Sequence, residues 1–153
     1  MEDRFGHRIS YLRVSVTDRC NERCAYCMPQ ELQEWLPRAE ILTYEETLRL
    51  IRIAAGLGVS KLRITGGEPL TRRGVVDFIR ELSKIPGVRD IGVSTNGTLL
   101  ARKITPDQTI AAALRATDVR SLNISLDTLD RSMYAEITGR DLPICNQLLL
   151  ARG

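Results

Sequence analysis

The chain has 153 residues, 43% of them hydrophobic and 27% charged, which is enough apolar mass for one domain with its own core. That balance excludes a disordered polar tail; 11 Gly and 6 Pro without a period exclude a collagen-like or low-complexity chain, and four Cys are too few for a disulfide scaffold. A net charge of +3 is too mild and too scattered a basic excess to argue for nucleic acid.

The longest apolar runs, such as Leu148 to Leu150, fall far short of the roughly 18 residues a membrane span needs, so no membrane partner is expected. The charged start from Met1 to Arg4 leads into no apolar segment of a secretory signal. The expected setting is the cytoplasm, where thiols stay reduced and clustered cysteines point to metal or redox chemistry.

Tyr11 to Thr17 alternates strictly and is rich in β-formers, which predicts a first strand. A cysteine-bearing loop follows, from Asp18 to about Arg38. Thr43 with Glu46 three residues on has the spacing of a capping box; Leu48, Ile51 and Ala55 then recur at helical spacing until Gly56 and Gly58 stop the helix. Lys61 to Thr65 predicts a second strand running into Gly66, Gly67, Glu68 and Pro69. A helix from about Arg73 to Lys84 carries Val76, Ile79 and Leu82 on one face. Asp90 to Thr95 predicts a third strand, ending at Asn96 and Gly97. Pro106 suits the first turn of a helix running to about Arg115. Leu122 to Asp127 predicts a fourth strand, and a helix from Asp130 to Ile137 ends at Gly139. Strands and helices alternating in units of roughly thirty residues predict an α/β fold with a parallel sheet and crossover helices.

The strands have one apolar and one polar face, where fully buried parallel strands would be apolar on both. Leu12, Val14, Leu62, Ile64, Ile91, Val93, Leu122 and Ile124 belong to the first face, and Arg13, Ser15, Arg63, Ser94, Asn123 and Ser125 to the second. A barrel ordinarily fills its lumen with Val, Ile and Leu, so a polar lumen implies an open or widened barrel around a polar ligand. Arg13 and Arg63 point to an anionic ligand, since guanidinium matches carboxylate and phosphate. The same alternation also suits half-exposed strands of an antiparallel sheet, and either arginine alone suits a pair with Glu68 or Asp127.

Cys20, Cys24 and Cys27 lie within eight residues in the loop after the first strand, the end of a parallel sheet where sites collect. Soft thiolates select zinc, copper(I) or iron–sulfur clusters. Structural zinc usually takes four ligands in two separated pairs, whereas three thiols with no near fourth suit a 4Fe–4S cube with one open iron. Arg19 and Arg23 favour thiolates beside them. A zinc site completed by His7 or Cys145 stays open at this point, as does a redox Cys24–Cys27 pair.

The spacing Cys-x-x-x-Cys-x-x-Cys with an aromatic before the last Cys, and the Gly-Gly-Glu-Pro segment at Gly66 to Pro69, resemble the radical S-adenosylmethionine (SAM) enzymes. The segments Tyr11 to Asn21, Cys24 to Pro29, Arg63 to Pro69, Ser94 to Gly97, Asn123 to Asp127 and Ile137 to Arg140 resemble, in combination and in order, the MoaA family within them. That family comprises the GTP 3′,8-cyclases of molybdenum cofactor biosynthesis, and the resemblance runs from about Phe5 to Asp141. It implies a partial (βα) barrel of the radical SAM type, cut to about four parallel βα units. It implies a 4Fe–4S cluster held by Cys20, Cys24 and Cys27, with SAM on the open iron. SAM contacts then fall to Tyr26, Gly67 and Ser125, and GTP contacts to Arg13, Arg63 and Ser94, the last standing where the family usually has Thr. Reductive cleavage of SAM gives a 5′-deoxyadenosyl radical that starts the cyclisation of GTP to 3′,8-cyclo-7,8-dihydro-GTP, a lyase reaction. The implied partners are a reductant such as flavodoxin or ferredoxin, the next pathway enzyme (cyclic pyranopterin monophosphate synthase), and a second copy in a homodimer. No side chain is assigned to the chemical step.

The family's further barrel units, its second three-cysteine cluster and its Gly-Gly tail are not matched here. Residues 1–141 are therefore expected to be the N-terminal part of a radical SAM core domain, and 142–153 a divergent tail in which Cys145 is assigned no role. The chain alone is expected to fold marginally or self-associate, and not to turn over GTP. The competing readings are another radical SAM enzyme of the peptide-maturase type, a non-catalytic zinc module, and an inert remnant. Trp35 and Leu36 are expected to pack the cysteine loop, Arg72 and Arg73 to be a solvated pair, His7 to lie at the surface, and Asn96-Gly97 to be a turn.

Overall fold

The structure, a computed structural model, describes residues 2–28 and 34–141. Residues 142–153, read from sequence as a divergent tail, lie outside the described residues.

Four strands form one parallel sheet: β1 (Tyr11–Ser15), β2 (Lys61–Thr65), β3 (Asp90–Thr95) and β6 (Val119–Ile124), in the order β1-β2-β3-β6. The helices between them are α1 (Tyr44–Gly56), α2 (Val75–Ser83) and α3 (Ile110–Arg115); α4 (Arg131–Thr138) follows β6. A small antiparallel hairpin, β4 (Lys103–Thr105) and β5 (Gln108–Thr109), precedes α3. The parallel α/β architecture matches the sequence reading, and the open row of four strands removes the antiparallel alternative. Among the described residues no helix is long and apolar enough to cross a membrane.

Local chemistry accounts for the elements. Thr43 caps α1 by accepting from the Glu46 N–H, and the Glu46 carboxylate accepts from the Thr43 N–H in return, a complete capping box. α2 buries Val75, Val76, Phe78, Ile79 and Leu82, and each side chain so buried contributes about 1.5–3 kcal/mol. On β2 and β3 the apolar face is closed off, with Leu62, Ile64, Ile91 and Val93 all buried in the core that α1, α2 and α3 cover. The outer strands are barer: Leu122 on β6 is 37% exposed, and among the described residues β1 and β6 each pair on one side only. Free parallel edges of this kind are the physical basis for the expected self-association.

Two elements differ from the sequence reading. Pro106 does not open a helix. It sits in the turn between β4 and β5, where its fixed φ suits a tight reversal, and α3 starts at Ile110 with Thr109 accepting from the Ala112 N–H. The fourth parallel strand is Val119–Ile124 rather than Leu122 to Asp127. Its register skips a residue, Ile91 facing Val119 and Gly92 facing Ser121, and this bulge carries the pairing upstream while Leu126 and Asp127 leave the sheet.

Candidate functional site

The carboxyl ends of β1 and β2 are joined beyond the regular ladder. Val16 N–H donates to Thr65 O (2.9 Å), Gly67 N–H to Thr17 O (2.7 Å) and Glu68 N–H to Arg19 O (2.8 Å), so the glycine segment is paired to the chain leading into Cys20. A Cβ on Gly67 would lie 2.5 Å from the carbonyl oxygens of both Asp18 and Arg19, and one on Gly66 2.5 Å from that of Thr17. Both glycines are thus required by the approach of the cysteine loop itself, a cause the sequence did not separate from a ligand contact.

Glu68 is the buried anchor of this corner. Only 1% exposed, its carboxylate accepts from Leu70 N–H (2.9 Å), Thr95 Oγ1–H (2.8 Å) and Asn96 N–H (2.7 Å). Burial pushes its pKa up, against the three donors, which favour the ionised form. Asn96 in turn donates to Asn21 Oδ1 (3.0 Å), and Asn21 donates to Thr98 Oγ1 (2.8 Å), tying the cysteine loop to the end of β3. Asn96-Gly97 is therefore more than a turn. Glu68→Gln would put an amide where two oxygens now meet donors, and is expected to lower stability by about 1–3 kcal/mol in denaturant unfolding; an unchanged midpoint contradicts this bonding.

The three cysteines are free thiols, Cys20 and Cys24 half-buried and Cys27 exposed. Cys27 N–H and Met28 N–H both donate to Cys24 O (2.9 and 3.0 Å), turning the loop back after Cys24. Burial pushes the Cys24 thiol up to about 11, with the Glu22 carboxylate adding to the effect, and burial raises Cys20 as well. A metal group binding here displaces those protons. Among the described residues no three His, Cys, Asp or Glu side chains close around a single-ion position. His7 is bonded to Asp3 (3.0 Å) at the surface, and Cys145 lies outside the described residues. Three free thiols on one short loop are the donor set that a 4Fe–4S cluster with one open iron takes.

The remaining predicted site residues fall into two sets. Arg13 on β1 faces Arg63 on β2, Arg63 faces Gly92 on β3, and Ser94 stands two residues beyond Gly92, so the three share one polar face. Neither arginine pairs with Glu68 or Asp127. Arg63 lies across Gly92, where a Cβ would meet its Nη1 at 2.6 Å, and donates to Asn123 Oδ1 (2.9 Å), a neutral partner. Among the described residues neither guanidinium has an ion pair, which leaves their charge for an anion. Tyr26 is exposed, and its hydroxyl donates to Asp127 Oδ2 (2.9 Å), bringing the loop to the end of β6. Ser125, exposed just after β6, donates its N–H to Thr95 O (2.9 Å).

Trp35 packs against the loop through the Arg23 guanidinium, 4.6 Å above its ring, and Leu36 N–H donates to Asp18 Oδ2 (2.7 Å). Arg72 is not solvated as expected: it donates to Val16 O (2.6 Å) and Leu42 O (2.7 Å) and stacks on Tyr44. Glu22, Tyr134 and Thr138, missed in the sequence, also hold the loop. Their partners are distant in the chain, and only the Ile137 to Arg140 segment hinted at them.

Residues 14–144 match the radical SAM superfamily. Curated relatives include the GTP 3′,8-cyclases of Thermodesulfovibrio yellowstonii (48% identical over 139 residues) and Pelotomaculum thermopropionicum (50% over 138). The chain aligns over 90% of its own length with each, and spans only 41% and 40% of theirs. Among solved structures, Streptococcus suis SuiB superposes with a TM-score of 0.68 at 21% identity, covering 93% of this chain and 29% of that one; at this identity the likeness is one of fold. Because the family match takes in β2, β3 and β6, the glycine corner and α4 as well as the three thiols, the chain belongs to the radical SAM superfamily.

Proposed function

We propose that the chain is the radical-generating N-terminal part, residues 1–141, of a GTP 3′,8-cyclase acting in molybdenum cofactor biosynthesis. The family's cofactors are a 4Fe–4S cluster and SAM, and the donor set on the cysteine loop suits them. When bound, they supply a 5′-deoxyadenosyl radical that takes a hydrogen atom from the substrate.

This chain's residues do the holding and orienting. Cys20, Cys24 and Cys27 hold the cluster. The N–H of Gly67 is already spent on Thr17 O, so what Gly67 offers SAM is its carbonyl, an acceptor suited to an ammonium group. Tyr26, fixed by Asp127, and Ser125 flank SAM from the loop and from the end of β6. Arg13, Arg63 and Ser94 hold GTP on the polar face, where guanidinium forks match phosphate oxygens.

The observation that supports GTP rather than a peptide substrate is the pair of facing arginines without carboxylate partners on that face. The GTP cyclisation is a lyase reaction, takes its electrons from a reductant such as flavodoxin or ferredoxin, and belongs in the cytoplasm. Its product passes to a cyclic pyranopterin monophosphate synthase. Equilibrium dialysis with labelled GTP tests the substrate: binding is expected to fall at least tenfold in the Arg13→Ala/Arg63→Ala double variant. Binding unchanged in that variant contradicts the assignment.

A further inference from the structure

Two side chains of α4 are buried, Tyr134 and Thr138, at 2% and 1% exposure. Tyr134 is one of the largest fully buried side chains described, yet it stands outside the continuous apolar core that the sheet shares with α1, α2 and α3. A buried tyrosine hydroxyl needs an acceptor, and here that acceptor is the Glu22 carboxylate, itself only 5% exposed. Glu22 lies between Cys20 and Cys24, and its other oxygen accepts from the Cys24 thiol at 3.7 Å.

The end of the same helix serves the same loop. The last carbonyls of a helix have no partner within it. In α4 the carbonyls of Thr138 and Ile137 accept from Arg23 N–H (2.7 Å) and Ala25 N–H (2.9 Å), the two amides on either side of Cys24. Gly139 leaves the helix in the left-handed region (φ 62°), and a Cβ there would meet Arg23 Cβ at 3.2 Å. Thr138 locks the turn by donating its hydroxyl to Tyr134 O (2.8 Å). Four contacts thus connect α4 and Gly139 after it to the stretch Glu22 to Ala25.

We propose that α4 is the template on which the cysteine loop is set, with Tyr134 a positioning residue that fixes Cys24 through Glu22 and so governs how firmly the loop retains its metal cluster. This rests on the reading of Cys20, Cys24 and Cys27 as cluster ligands. Tyr134 acts through Glu22 and is not itself a ligand in this reading. It removes the freedom of a loop that otherwise has to order itself around the metal at an entropic cost.

The test uses the chain both without metal and after anaerobic reconstitution with iron and sulfide. In the metal-free chain, Tyr134→Phe is expected to speed hydrogen exchange of the Arg23 and Ala25 amides at least tenfold, with β2 and β3 amides unchanged. In the reconstituted chain, loss of iron to a chelator is expected to be at least fivefold faster. Glu22→Ala should match both effects, and Tyr134→Phe should add nothing to it. Glu22→Gln, which still offers the hydroxyl an acceptor, should stay near the unaltered chain. If Tyr134→Phe fails to fold, the Glu22 pair of variants decides alone. Equal exchange at Arg23 and Ala25 in all variants, or additive effects of the two substitutions, overturns the proposal. Failure of the unaltered chain to take up iron overturns the ligand reading instead, and the exchange arm still judges the template.

Discussion

Gly67→Ala is expected to destabilise the chain by about 3 kcal/mol, near the top of the range for single substitutions that overpack a closed site. The added methyl would sit 2.5 Å from two carbonyl oxygens, those of Asp18 and Arg19, and a backbone atom cannot rotate out of the way as a side-chain tip can. The cysteine loop has to move away from β2, breaking the Gly67–Thr17 and Glu68–Arg19 hydrogen bonds and shifting Cys20, which follows Arg19 directly. Gly56 is the control. A Cβ there meets nothing within 4 Å, and the residue is helical, so Gly56→Ala is expected to stabilise by about 0.5–1 kcal/mol. Denaturant unfolding of both variants reads the difference, and a Gly67→Ala midpoint equal to that of the unaltered chain contradicts the close approach.

The second large effect is all-or-none. Cys20→Ala, Cys24→Ala and Cys27→Ala are each expected to reduce bound iron and sulfide at least tenfold after reconstitution. Three ligands on one short loop leave no redundancy, and among the described residues no His, Cys, Asp or Glu group forms an alternative cage. Cys145→Ala, at a position given no role, is expected to load fully. Zinc in place of iron and sulfide, or full loading of any one of the three variants, contradicts the ligand assignment.

Local signals carried most of the fold. β2 and β3 begin and end where their alternation does, because their apolar residues face a closed core and any slip would expose them. The capping box at Thr43 is equally local. β6 was misplaced because an outer strand is less constrained by burial, and its bulge depends on Gly92 and Ser121 meeting across the sheet. Pro106 serves a helix start and a tight turn alike, and a threonine precedes both candidate starts, Thr105 and Thr109, so the local sequence does not separate the two.

The site divides along the same line. The cysteine spacing and the polar strand face lie in short stretches of chain and could be read directly. What holds them in place could not: Glu68 meets Thr95 and Asn96, Glu22 meets Tyr134, and Arg63 reaches Asn123 over a glycine. These are tertiary contacts between residues far apart in sequence, and each partner alone is an ordinary polar residue. The glycine pair was legible as a special backbone, although the structure gives it a second cause in the loop packed against it.

The central claim is that the cysteine loop holds an iron–sulfur cluster whose open iron takes SAM. The electron paramagnetic resonance spectrum of the reconstituted, reduced chain, recorded with and without SAM, tests it most directly. A 4Fe–4S signal that changes when SAM is added is the predicted result, and the absence of a cluster, or a signal indifferent to SAM, would contradict it.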